Sequence, residues 1–205
     1  MFECATTSAV NGNTEAQEIA RGLRRRDADF LRALVGQYQY RLVRYFIYLL
    51  GRSDHVEDLA QETWIRVLER GRSYDGQSRF EPWLFAIARN LAIDHLRKRR
   101  VFSLDSTDFA EPDVGALTPV SQAASPFEQA ARTEDAQRLA RSLQMLEPLY
   151  REALVLRFQE DLSLQEMAEV IGAPVSTISS RIYRGLAVLR AQLGAEAQEG
   201  GTHAV

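Results

Sequence analysis

Residues 162–193, LSLQEMAEVIGAPVSTISSRIYRGLAVLRAQL, decide the reading of this chain. Ser163-Leu164-Gln165-Glu166 is a Ser-x-x-Glu capping box, in which hydroxyl and carboxylate each satisfy a backbone N–H exposed at a helix start. Leu164, Met167, Ala168 and Ile171 recur at helical spacing, and Gly172 supplies a stop. Ala173-Pro174-Val175 makes a short turn. A second helix then starts near Ser176 or Thr177, either of which can cap it. Ile178, Ile182, Leu186, Leu189 and Leu193 share one face, which leaves Ser176, Ser179, Ser180, Tyr183 and Arg184 mostly to solvent. Two short helices with a tight turn place the second in a DNA major groove, with its N-terminal side chains at base edges. An ordinary helical hairpin also fits this window, so the rest of the chain must arbitrate.

Composition narrows the classes. The 205 residues suit one or two domains, and 45% hydrophobic content suffices for real cores. A net charge of −3 excludes a uniformly basic nucleic-acid binder, so any DNA contact must come from local basic patches. The single cysteine, Cys4, excludes an internal disulfide and a Cys-rich zinc site. His55, His95 and His203 show no metal spacing, and neither a metal nor a cofactor is expected. The N-terminus lacks the basic start and apolar run of a signal peptide. The longest apolar stretch, Tyr45 to Leu50, falls far short of the ~20 residues that span a bilayer. A soluble, cytoplasmic protein without membrane insertion is the expectation.

Working outward, helical patterns fill the chain and no strand pattern emerges; the fold expected is all-α, two small helical domains joined by a flexible acidic linker. Residues 1–13 read as a loose, disordered N-terminus. A first domain spans 14–100: a short helix Thr14 to Arg26, a longer one capped by Asp27 and closed by Gly51, one from Asp54 to before Gly71, a loop over Arg72 to Gln77, and a helix from a second capping box, Ser78-Arg79-Phe80-Glu81, to about Arg100. From Val101 to Ala131 there is no Lys or Arg, while Asp105, Asp108, Glu111, Asp113 and three prolines occur, so 101–124 reads as the linker. Ser125-Pro126-Phe127-Glu128 opens a second domain, 125–194, with helices over Pro126 to Met145 and Pro148 to Gln159 before the helix-turn-helix. Residues 195–205 read as a flexible polar tail.

Two further constellations carry chemistry. The helix from Phe80 is apolar in front (Phe80, Trp83, Leu84, Phe85, Ile87) and polar to basic behind (Arg89, Asn90, Asp94, Arg97, Lys98, Arg99, Arg100). Asn90, Asp94 and Arg97 share a face; an amide can bond base edges, and Arg and Lys neutralise phosphates. A solvated helix end complementing the macrodipole is the plainer reading of the basic cluster, and a core position that of Trp83, although an exposed edge could stack on a base. The helix bearing Asp58, Gln61 and Glu62 is acidic on one side. That is ordinary first-turn chemistry or a protein-docking face with Trp64 as aromatic anchor. No phosphate loop, zinc motif or catalytic triad spacing occurs, so no catalytic residue and no enzyme activity is expected.

The combined pattern is specific. Asp58-Leu59-Ala60-Gln61-Glu62-Thr63-Trp64, Phe80-Glu81-Pro82-Trp83-Leu84-Phe85-Ala86-Ile87-Ala88-Arg89-Asn90 and Asp94-His95-Leu96-Arg97-Lys98-Arg99-Arg100 resemble region 2 of sigma-70 family factors, most closely the extracytoplasmic function (ECF) subfamily. Tyr150 to Leu193, with Val175-Ser176-Thr177-Ile178 and Arg181-Ile182-Tyr183-Arg184, resembles region 4. The resemblance implies an alternative sigma factor that binds core RNA polymerase, through the beta-prime clamp and beta flap, and directs initiation at promoter DNA by recognising −35 and −10 elements and aiding strand separation. It implies polymerase contacts at Asp58, Gln61, Glu62 and Trp64. It implies −10 contacts at Tyr74, Asp75, Ser78, Arg79, Trp83, Asn90, Asp94, Arg97, Lys98 and Arg100. The Arg72 to Arg79 loop matches one that captures a flipped base, whose extrusion costs a few kcal/mol. The −35 contacts would be Ser176, Thr177, Ser179, Ser180, Arg181 and Arg184. The linker would thread toward the RNA exit path, and an anti-sigma protein is an expected partner.

The chain departs from the family at Ser179, where Lys is frequent, at Asp94, where some relatives carry an amide, and at Gly185, where Ala is common and Gly costs ~1 kcal/mol of helix propensity. Regions 1.1 and 3 of housekeeping factors have no counterpart. A stand-alone helix-turn-helix regulator would need a dimer face that the pattern lacks. An adaptor that sequesters polymerase would leave the basic helix end and the recognition helix unexplained.

Overall fold

The computed structural model describes the backbone of residues 6–51, 55–102 and 136–200, and the side chains of 14–51, 55–98 and 136–194. The architecture is all-α, with no strand among the described residues. The elements are α1 (Thr6–Arg25), α2 (Ala28–Leu50), α3 (Val56–Arg70), a 3-10 turn (Gly71–Ser73), α4 (Phe80–Phe102), α5 (described over 136–144), α6 (Pro148–Phe158), α7 (Leu164–Ile171) and α8 (Val175–Gly200). The linker expected at 101–124 and the start signal at Ser125 lie outside the described residues, apart from the end of α4.

Local chemistry accounts for most boundaries. Asp27 caps α2: its Oδ1 accepts from the N–H of Asp29 at 3.0 Å and of Phe30 at 3.2 Å. Gly51, at φ 71°, closes α2 in the left-handed conformation that glycine adopts without penalty. Two ends differ from expectation. Backbone helix already begins at Thr6, inside the segment read as loose. Ala16, Ile19, Ala20 and Leu23 dock the second half of α1, and a helix once nucleated extends at low cost. At the other end α8 continues into the expected tail, as far as Gly200.

The first four helices form a bundle around aromatic rings. Tyr38 meets Phe80 at 5.3 Å between centroids, Tyr74 meets Phe80 at 5.4 Å and Trp83 at 5.3 Å, and Tyr45 meets Phe85 at 5.2 Å. Glu81 does not complete the expected box with Ser78. Its carboxylate turns inward, accepting from the Tyr38 hydroxyl at 3.2 Å and from Arg41 at 3.4 Å, with Arg79 at 3.5 Å. An interior acceptor for a buried tyrosine outweighs one exposed capping bond.

The two domains expected from the sequence pack directly against each other. Buried residues of both form one continuous core cluster, α7 lies on α4, and α6 lies on α2. The seam is charged. Glu152 on α6 accepts from Arg89 of α4 at 2.7 Å and from the Tyr45 hydroxyl of α2 at 3.2 Å. Glu160 accepts from Arg41 at 2.8 Å and Arg44 at 3.3 Å. Burial, and then the Glu152 charge, push the Tyr45 hydroxyl far above the usual phenol range. Arg151, itself buried, donates to the carbonyl of Tyr48 at 3.0 Å and to those of Gln144 and Leu146, while Gln144 donates to the carbonyl of Ile47. The Tyr48 carbonyl at the end of α2 is thus served by α5 and α6, and the Ile47 carbonyl accepts from Gln144 in addition to Gly51 N–H.

Candidate nucleic-acid interface

The helix-turn-helix is built by the devices its sequence advertises. Ser163 Oγ accepts from Glu166 N–H at 3.2 Å, and the Glu166 carboxylate accepts from Ser163 N–H at 2.7 Å. Gly172 ends α7 at φ 70°, donating to Ala168 at 2.8 Å. The start of α8 differs. The Pro174 carbonyl accepts from Thr177 N–H at 2.9 Å and Ile178 N–H at 3.1 Å, so α8 begins at Val175 and Ser176 sits within its first turn. Proline leaves its carbonyl available while lacking an N–H to satisfy, which suits a position just before a helix.

Ile178 is fully buried and fixes the rotation of α8. Ser176, Ser179, Ser180 and Arg184 therefore face solvent, with Thr177 and Arg181 half-buried beside them. Tyr183, 75% exposed, extends the same face. It was absent from the contacts expected by resemblance, although its i+7 spacing from Ser176 and i+4 from Ser179 was the available signal. Gly185 is explained by packing: a Cβ there would sit 3.3 Å from side-chain atoms of Leu154 and Tyr150, where α8 crosses α6 closely.

The residues expected at the −10 element separate into two groups. Asp75, Ser78, Asn90, Asp94, Arg97 and Lys98 are exposed, and the last four line α4. The side chain of Arg100 lies outside the described residues. Tyr74 is only 2% exposed and acts as a pillar; its hydroxyl donates to the Ser78 carbonyl at 2.6 Å, and burial raises its pKa well above the usual value. Trp83 is half-buried against Tyr74 and Phe80. Arg79 is engaged across the seam, donating to the Asp161 carbonyl at 3.1 Å and lying 3.6 Å from Glu166. The loop itself is pinned: Asp75 accepts from Gln77 N–H at 2.9 Å, Arg24 donates to the Tyr74 carbonyl, and Gly76, at φ 76°, lets the chain approach α1.

On α3, Asp58 and Gln61 are exposed, and Glu62 pairs with Arg66 at 2.9 Å. Trp64 is not the surface anchor expected. It is 8% exposed, and its Nε1 donates to Gln39 at 2.7 Å. Ile65 and Leu68, 50% and 42% exposed, continue the strip instead: Asp58, Gln61, Ile65 and Leu68 follow helical spacing along one face. Among the described residues no group of metal-ligating side chains occurs, and no helix is long and apolar enough to cross a membrane.

Comparison with known proteins gives this arrangement a family. Residues 34–101 match the family described as Sigma-70 region 2, and residues 136–189 match Sigma-70, region 4. The chain is similar to the ECF RNA polymerase sigma factor SigW of Bacillus subtilis, at 32% identity over 82% of this chain and 90% of that protein. It is similar to the RNA polymerase sigma-H factor of Pseudomonas aeruginosa, at 32% identity over 82% of this chain and 88% of the relative. Among solved structures, the sigma factor RpoE in complex with the anti-sigma factor NepR from Bartonella quintana superposes with a TM-score of 0.68 at 27% identity, covering 82% of this chain and 98% of that one. CnrH in complex with the cytosolic domain of CnrY gives a TM-score of 0.61 at 25% identity, covering 90% and 97%. With both regions matched in order and a relative 32% identical over 82% of this chain, the chain belongs to the sigma-70 family, as an ECF sigma factor.

Proposed function

We propose that this ECF sigma factor, a transcription initiation factor, divides promoter reading between two helix faces and polymerase binding to a third, and acts by recruitment and strand separation, not by catalysis. One observation carries the division: a single chain presents two separate polar faces on rigid helices, Ser176, Ser179, Ser180, Tyr183 and Arg184 on α8, and Asn90, Asp94, Arg97 and Lys98 on α4. The α8 face reads the −35 element as duplex. Serine hydroxyls bond either edge type, Arg184 suits a guanine, and the Tyr183 ring offers apolar contact for a thymine methyl. Thr177 and Arg181, half-buried beside that face, hold the flanking phosphates.

On α4, Asn90 and Asp94 take the upstream −10 bases, with Arg97 and Lys98 on phosphate. The loop carrying Asp75 and Ser78 receives an extruded base. Tyr74 and Trp83 hold that loop in shape from beneath, and Arg79 joins the site once released from Asp161 and Glu166. Docking on core polymerase falls to the α3 strip of Asp58, Gln61, Ile65 and Leu68. Exposed apolar side chains rimmed by polar ones suit a protein partner. An anti-sigma protein is the expected regulator, in keeping with the two solved relatives, both in complexes.

Footprinting of holoenzyme reconstituted from core polymerase tests the division. Arg184→Ala should lose the upstream protected block alone, and Asn90→Ala the contacts at the downstream block alone. Loss of both blocks together in either variant would refute separate readers.

A further inference from the structure

Resting on the reading that the loop before α4 receives an extruded promoter base, we propose that the arginines gathered where α1 and α3 end form a further nucleic-acid site. It is a phosphate track for the single strand that runs on downstream from that base. The track is Arg21, Arg25, Arg26, Arg70 and Arg72, with Arg24 at its inner edge.

Close backbone approaches bring these side chains together. A Cβ on Gly71 would lie 3.1 Å from Leu23 Cβ, and one on Gly76 would lie 2.9 Å from the Ala16 carbonyl oxygen. The helix α1 therefore runs along the loop, from Gly76 beside Ala16 to Gly71 beside Leu23. From Ala16 to its arginine end it rises ~15 Å. Arg24 donates to the Tyr74 carbonyl at 3.4 Å and ties helix to loop. All six arginines belong to exposed positions. Asn90, Asp94, Arg97 and Lys98 lie further along α4, whose first residue, Phe80, directly follows the loop. A strand that passes from that face into the loop thus leaves it at the end of the bundle where the arginines stand.

Helix-end electrostatics account for only part of the cluster. A cation in the last turn complements the helix dipole, and Arg25 on α1 and Arg70 on α3 suffice for that. Elsewhere in the first region arginines are neutralised: Arg32 by Asp29, Arg41 and Arg44 by Glu160, Arg66 by Glu62, Arg89 by Glu152. Among the described residues no carboxylate forms an ion pair with any of these six. Asp27 is occupied in capping α2, and Asp75 in accepting from Gln77 N–H. Arg26 holds φ 54°, a left-handed position where glycine would be unstrained, so a cation stands there against backbone preference. In a chain of net charge −3, this local excess of positive charge suits an anionic partner. The exposed aromatics among the described residues, Tyr40, Phe158 and Tyr183, lie on other helices, so the track offers no ring on which a base could stack. It grips backbone and carries no sequence preference, and so serves any sequence downstream of the captured base.

Fork-junction DNA from a promoter that the holoenzyme transcribes tests this. A short fork ends its single strand at the captured base, and a long fork carries that strand a few nucleotides further. Holoenzyme built with Arg21→Gln/Arg25→Gln/Arg72→Gln should match wild type on the short fork. On the long fork it should bind at least about tenfold more weakly, with the slope of log affinity against log salt reduced by about 2, as expected for three single-strand phosphate contacts at ~0.7 each. Arg21→Lys/Arg25→Lys/Arg72→Lys should restore long-fork affinity, since a phosphate track needs the charge and not the planar guanidinium. The thermal midpoint of both variants should stay at the wild-type value, because the three side chains are exposed. Equal losses on the two forks would overturn the track, as would undiminished binding to the long fork. Weakened assembly with core polymerase at unchanged fork affinity would overturn it too, by giving the patch to an acidic protein surface. Wild-type holoenzyme indifferent to the identity of the captured base on the short fork would instead refute the reading of the loop, and with it the track built on that reading.

Discussion

The indole Nε1 of Trp64 donates a 2.7 Å hydrogen bond to Gln39 Oε1 and so ties α3 to α2 from inside the bundle. The tryptophan that resembles a docking residue is thus a structural one, and the surface of α3 is left to its neighbours. Trp64→Ala should cost about 3–5 kcal/mol of stability through the cavity it opens. Ile65→Glu, at an exposed site, should leave the thermal midpoint nearly unchanged and weaken binding to core polymerase by about 1–2 kcal/mol. Thermal unfolding set beside a polymerase pull-down separates the two. An Ile65→Glu variant with full polymerase affinity would remove the α3 strip from the interface.

On α8 the expected losses differ by residue. Arg184→Ala should cost about 1–3 kcal/mol and relax preference at one −35 base pair, as loss of a base contact does. Tyr183→Ala should weaken binding chiefly to sites carrying a thymine there. Binding measured against single-base-pair variants of the element reads both. A uniform loss across all sequences would mean that these side chains touch only phosphates.

Arg97 and Lys98 on α4 should behave in that uniform way. Replacing either with Ala should reduce the slope of log affinity against log salt by about 1 with no change in preferred sequence. An unchanged slope would return the basic end of α4 to a solvated helix terminus.

The Glu81 carboxyl titrates below its ordinary value. Burial opposes its charge, but its own backbone N–H, Arg79 and Arg41 outweigh that cost. A folded pKa below the unfolded one contributes stability in full above the unfolded value, near 4.3, and loses it as pH falls through the folded value. Stability of the wild type should therefore fall more steeply on acidification below about pH 4 than that of Glu81→Gln. Parallel thermal midpoints across that range would show that Glu81 contributes no acid-sensitive stability.

Gly76→Ala should destabilise by about 1–3 kcal/mol, because φ there is 76° and a Cβ would lie 2.9 Å from the Ala16 carbonyl oxygen. Since α1 pins at this point the loop proposed to receive the extruded base, the variant should also slow promoter opening. Permanganate probing of unpaired thymines measures that directly.

These particulars show what the sequence made legible. The helix-turn-helix was readable because its signals are local: a Ser-x-x-Glu box, one glycine stop and an apolar stripe within 32 residues. Asp27 and Gly51 marked the ends of α2 for the same reason. The burial of Trp64 was not legible because its partner Gln39 lies on another helix, and that of Tyr74 because a loop position carries no periodicity to show that Phe80 and Trp83 close over it. The packing of the two regions left no trace in hydropathy, since Glu152, Glu160, Arg41 and Arg89 read as surface residues until their partners are seen. Ser176 was a plausible cap, and only backbone geometry shows Pro174 in that place.

Transcription in vitro tests the central claim most directly. Core RNA polymerase would be supplied with this protein, or with none, on a library of promoter fragments, and transcript starts mapped. The account predicts starts that depend on the protein and share two upstream elements, with Arg184→Ala failing at the upstream one and Asn90→Ala at the downstream one. Folded protein that directs no start, or starts that share no common elements, would contradict it.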